Sequence, residues 1–63
     1  MKYKKNSVVF DASRKRIYKI VETDDNHNYI LKTIYPDTLR LKEAIHTMDS
    51  AEADNSFKLL INE

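Results

Sequence analysis

No glycine occurs anywhere in the 63 residues of this chain. Every turn that needs a positive φ is therefore built on a residue carrying a Cβ, which costs roughly 1–2 kcal/mol unless a short polar side chain bonds locally to the backbone. The same absence excludes whole classes of chemistry. A phosphate-cradling loop, a dinucleotide fingerprint and a nucleophile elbow each need backbone that only glycine adopts. Cysteine is missing as well, so neither a disulfide framework nor a thiolate metal site is available.

Asp and Asn take over the turns. Ser7–Phe10, Arg16–Glu22 and Tyr29–Tyr35 are runs rich in Val, Ile, Tyr and Thr, the residues that suit a pleated surface. Asp11–Arg14 separates the first two runs and Asp24–Asn28 the second and third. Both separators hold residues whose side chains bond their own backbone in turns, so two antiparallel hairpins are expected. Pro36 ends the third run. Asp37 or Thr38 then caps a helix. Leu41, Ala44, Ile45 and Met48 follow at i, i+3, i+4 and i+7, one apolar stripe, while Arg40, Lys42, Glu43 and His46 lie mostly off it. After Asp54–Ser56, the segment Phe57–Ile61 reads as extended, although Ala53, Phe57, Leu60 and Ile61 also fit helical spacing. The expected fold is α+β: one small domain over residues 1–63, a three-stranded antiparallel sheet packed on one α-helix, with an apolar C-terminal segment available as an extra strand.

The period-two alternation sorts the strand residues into faces. Ile17 and Val21 oppose Tyr18 and Ile20; Ile30 and Ile34 oppose Tyr29, Leu31, Thr33 and Tyr35. Both faces carry apolar residues, and one short helix covers only one. A domain of this size buries about 60 % of its unfolded surface, and its core rarely supplies more than ~3–5 kcal/mol. A homodimer is therefore expected, with Tyr18, Ile20, Tyr29, Leu31, Phe57, Leu59 and Ile61 as the protein interface.

The net charge of +1 favours no partner, but it is unevenly spread. Residues 1–22 carry seven basic and two acidic side chains; residues 23–63 carry four basic and eight acidic ones. Lys4, Lys5, Arg14, Lys15, Arg16 and Lys19, with Tyr18 among them, form the candidate surface for DNA or RNA. The alternative is that these cations guard a sheet edge and keep the chain soluble. The basic N-terminus is not followed by a signal-peptide core, since Val8–Phe10 is far shorter than the roughly 7–15 apolar residues required. No stretch approaches the ~18 apolar residues of a membrane span, and a cytoplasmic location is the expectation.

The order hairpin, hairpin, capped helix and short tail resembles the YegP-like family of small ββα-repeat proteins, over about residues 7–50. Tyr29–Ile34 leads to Tyr35 as the family's strand leads to its aromatic. Asp37 and Thr38 stand at its cap, Leu41 at the first apolar helix position, Ala44-Ile45 at its Gly-Ile pair and Thr47-Met48 at its Ser-Val pair. Val8–Asp11 is similar to its opening strand and Arg16–Ile20 to its second. The chain departs from the family at its Asn-Gly hairpin, which is Asp24–Asn28 here, and at its strand Trp, replaced by Tyr18 or its neighbours. The resemblance implies units that occur in tandem or as pairs, and no catalytic residues.

Nothing else points to catalysis. His27 lies among Asp24, Asp25, Asn26 and Asn28, yet the spacing matches no calcium loop. His46 has no nucleophile placed to use it. Asp49, Glu52 and Asp54 cluster without a pocket to separate their pKa values. Tyr29–Lys32 ahead of Glu43 echoes a kinase lysine strand, but without the glycine-rich loop. No enzyme activity, cofactor or metal is expected. The leading expectation is a small interaction or accessory module with a protein partner at the uncovered sheet face or the C-terminal segment; the rival is a nucleic-acid-binding module.

Overall fold

The structure, a computed structural model, describes residues 2–61. It is mostly β: a five-stranded antiparallel sheet with one short helix, rather than the expected three strands on a helix. The strands are β1 (Val8–Asp11), β2 (Arg16–Thr23), β3 (Asn28–Ile34), β4 (Leu41–Asp49) and β5 (Phe57–Ile61), and α1 spans Ser50–Ser56. The sheet order is β4-β3-β2-β1-β5. Two hairpins and a third turn build the first four strands in sequence. Helix α1 then carries the chain from β4 at one edge to β5 at the other.

The first two hairpins form at the expected turns, and His27 and Lys15 are the residues that take positive φ, at 61° and 55°. Asp24 organises its turn through its carboxylate, which accepts from the Asn28 and Asn26 backbone amides and the Asn28 side chain. Those donors, the Asn28 amide first, hold the Asp24 carboxyl below the usual carboxylate range. Asp11 does the same for the β1–β2 turn, accepting from Ser13 and Arg14 N–H and from the Arg14 guanidinium.

The expected helix over Leu41–Met48 is instead β4. Its apolar stripe spans only two turns, too short for period to decide between helix and strand. Ile45 and Thr47 are β-branched and favour a strand, and β3 would otherwise present an unpaired edge. As a strand, the segment pairs Ile45 with Lys32, Thr47 with Ile30 and Met48 with Tyr29. Only Met48 of the four stripe residues is buried; Ala44 and Ile45 are exposed. Residues Asp37 and Thr38, expected as caps, lie in the turn that follows Pro36. The actual cap is Asp49, whose carboxylate accepts from Ala51 and Glu52 N–H. Asp49 and Glu52 have the spacing of a capping box, but Glu52 reaches across to Arg14 at 3.5 Å. The residues that carry the family resemblance in its helix, Leu41 to Met48, thus lie on β4. Phe57–Ile61 is extended, as read from the sequence.

The core sits between the sheet and α1. Val9, Tyr18, Ile20, Tyr29, Leu31, Met48, Ala53 and Phe57 are buried there, and Tyr3 folds over from the N-terminal arm to join them. Phe57 is central, with the rings of Tyr3, Tyr18 and Tyr29 at 6.0, 6.0 and 6.1 Å in tilted arrangements, a geometry that favours aromatic contact. The fully buried Tyr29 ties three segments together. Its hydroxyl donates to Asp54 of α1 at 2.7 Å and accepts from Lys2 and Tyr3 N–H at 3.0 Å. Burial first, and the Asp54 carboxylate next, push its phenol up to about 12.

Candidate functional site

Five of the residues expected at an interface, Tyr18, Ile20, Tyr29, Leu31 and Phe57, form this interior. They belong to the covered face, not to an uncovered one. The other two, Leu59 and Ile61, are exposed on β5. The alternation separates the two faces as far as Ile20; beyond it the register skips Val21. What the alternation lacks is the side on which the chain crosses over, and that is set by Asp49–Ser56 together with the Tyr3 arm.

No described element packs on the opposite face. There the register aligns Lys58, Phe10, Ile17, Ile34 and Leu41 in one row across all five strands, and Val8, Lys19, Lys32 and Ile45 in the next. Val8, Ile17, Ile34, Leu39, Leu41, Leu60 and Ile61 line a concavity of about 410 Å³ whose remaining wall is Lys19. Leu39 is unusual. It holds a positive φ of 58° in the β3–β4 turn and yet is 76 % exposed. That backbone position suits Gly or Asn; occupied by leucine, it sets an apolar side chain at the rim of the concavity. The turn is closed by Leu39 N–H to Tyr35 C=O and Tyr35 N–H to Arg40 C=O, and the Lys42 ammonium lies 4.9 Å from the centre of the Tyr35 ring.

The expected nucleic-acid residues do not share one surface. Lys5 pairs with Glu22 at 3.3 Å. Arg14 turns to the helix side, bonding Asp11 at 3.1 Å and reaching Glu52 and the Met48 sulfur; the Asp11 bond raises its pKa. Lys15 and Arg16 are exposed at the β1–β2 turn. Lys19 lies on the open face, and Lys4 lines a separate groove beside β5. That groove, about 450 Å³, is bounded by Lys2, Tyr3, Lys4 and Ser7 on one side and Phe57, Lys58 and Leu59 on the other.

His27 and His46 stay apart from any metal-holding group: no set of three His, Cys, Asp or Glu side chains converges among the described residues. His27 offers its carbonyl to Ser50 N–H, and the exposed His46 ring meets Tyr18 edge-on at 6.1 Å. No helix of the described residues is long and apolar enough to cross a membrane. The chain matches no protein-family profile, and no curated protein or solved structure is significantly similar to it.

Proposed function

We propose that the chain is a non-enzymatic interaction module that pairs with a second copy of itself through the open face of its sheet. The observation that carries the reading is the apolar concavity at Val8, Ile17, Ile34, Leu39, Leu41, Leu60 and Ile61. Contiguous apolar surface rimmed by polar groups is the physical mark of an interaction site. A two-fold axis through this end of the face sets the exposed Leu39, Leu41, Leu60 and Ile61 of one copy against the apolar surface of the other, and a lysine beside such a patch can lay its stem on it while its ammonium reaches water. Leucine at a backbone position better suited to glycine supports the same reading, because its side chain contributes nothing to the interior.

Sedimentation equilibrium on the purified chain tests this. The expected result is a dimer at micromolar concentration that Leu41→Glu converts to a folded monomer. A wild-type chain that stays monomeric at hundreds of micromolar, with Leu41→Glu indistinguishable from it, overturns the reading.

A further inference from the structure

We infer that the groove beside β5 binds an acidic, extended segment of another protein, which adds to the sheet as a sixth strand. This surface is separate from the open face and rests only on the broader reading of the chain as an interaction module.

The first support is the edge itself. β5 ends the sheet order, so its outer side has no partner strand among the described residues. Ser56 C=O accepts from Ala12 N–H, and the period-two alternation of an antiparallel ladder then turns Lys58 inward and Leu59 outward. Phe57 C=O, also on the outer side, is taken by the Tyr3 hydroxyl at 2.8 Å. The N–H and C=O of Leu59 are left as the pair to which an incoming backbone bonds. Edges exposed in this way are the template for strand addition.

The second support is charge. Lys2 and Lys4 line the groove, and among the described residues no acidic side chain does. A second copy added at this edge would bring its own Lys2 and Lys4 against them, and such like-charge juxtaposition opposes pairing. An acidic strand meets the opposite condition. The third support is Ser7, whose hydroxyl is buried on the groove wall with no hydrogen-bond partner among the described residues. A buried polar group left in that state is the exception in folded proteins, and the carboxylate of a glutamate side chain laid into the groove from the added strand supplies the missing acceptor. Alternate residues of that strand point toward Tyr3, Phe57 and Leu59, so an acidic–apolar alternation fits best.

The probe is a fluorescein-labelled peptide, Glu-Val-Glu-Val-Glu-Leu-Glu, titrated with the full chain and read by fluorescence anisotropy, with sedimentation on the same samples. Saturable binding is expected, weakened at least about tenfold by Lys2→Glu with Lys4→Glu and weakened by salt as screening grows. A peptide N-methylated at alternate amides leaves the protein untouched but cannot complete the ladder, and it should lose binding by a similar factor. Equal binding by the N-methylated peptide, by its Lys-for-Glu counterpart or by the double charge variant overturns the proposal. So does tighter binding of a single-stranded oligonucleotide that depends on the same two lysines. Loss of peptide binding with the dimer intact counts against this edge alone; a monomer that still takes the peptide counts against the open-face reading alone.

Discussion

The two faces of the sheet are built from similar residues and do different work. On the covered side, Tyr18, Ile20, Tyr29, Leu31 and Phe57 are buried and their polar ends are spent on one another, on α1 and on the N-terminal arm. On the open side, Ile34 is buried and Ile17 half-buried, but Leu41, Leu60 and Ile61 beside them are about half exposed. Two cations, Lys19 and Lys32, sit directly opposite each other in the middle of that face, where neither helps a packed interior. The difference teaches that apolar content does not define a core. Covering does, and in this chain the covering is about a dozen residues: the Tyr3 arm and the seven-residue helix.

That contrast breaks first at Phe57. Phe57→Ala removes the ring against which three tyrosines pack, a loss of about 3–5 kcal/mol. This matches the ~3–5 kcal/mol that a core of this size supplies in total, so the variant is expected to be unfolded by circular dichroism at 25 °C. Leu41→Glu on the open face should change monomer stability by about 1 kcal/mol or less. Its effect should appear in the concentration dependence of the melting temperature, present in the wild type through mass action and absent in the variant. A folded Phe57→Ala chain would mean that the covered side is not where stability resides.

Tyr29→Phe is expected to have the next largest effect. It keeps the ring but orphans the Tyr3 amide and removes the link to Asp54, for about 2–3 kcal/mol in urea unfolding. It also has a pH signature. The folded state holds the Tyr29 phenol at about 12 against an ordinary 10.0, so the protonated form is favoured by folding. The stability this gives is complete below pH 10 and is lost as pH rises through 10 to about 12. Wild-type stability should therefore fall more steeply across that window than Tyr29→Phe stability. Parallel curves would mean that the hydroxyl is not held in the folded state by its three partners.

Much of this architecture was legible in the residues, and the part that was not has a physical cause. Hairpins at Asp11–Arg14 and Asp24–Asn28 follow from local side-chain chemistry, and the extended tail from its apolar run. The strand faces follow from alternation as far as Ile20. Leu41–Met48 could not be settled locally, because its stripe fits a helix while its partner, the free edge of β3, lies elsewhere in the chain. The helix that does form has Asp49 and Glu52 at capping-box spacing, although Glu52 turns to Arg14 instead of closing the box. Which face is covered depends on a crossover between opposite edges of the sheet, a non-local fact that no period in the sequence encodes. The open-face site is hidden in the sequence for that reason: Ile17 and Ile34 meet only through the register of β2 on β3.

The smallest effects give the sharpest reading of the open face, because glycine's absence allows a matched pair of tests. Lys15 and Leu39 hold nearly the same positive φ, 55° and 58°, one in the β1–β2 turn away from the concavity and one at its rim. Glycine at either position relieves the left-handed penalty and adds some unfolded-state entropy, for a net gain of about 0.5–1 kcal/mol in the monomer. Lys15→Gly should raise the urea midpoint and leave the dimer constant unchanged. Leu39→Gly should raise the midpoint of the dilute monomer equally and weaken dimerisation about a hundredfold, because a two-fold interface loses two partly buried leucine side chains, each worth about 1.5 kcal/mol. Opposite signs in the two measurements mean that strain in the turn is maintained for the surface it presents. If Leu39→Gly strengthens both, the leucine has no part in pairing, and the open face has lost the one residue whose placement the interior cannot explain.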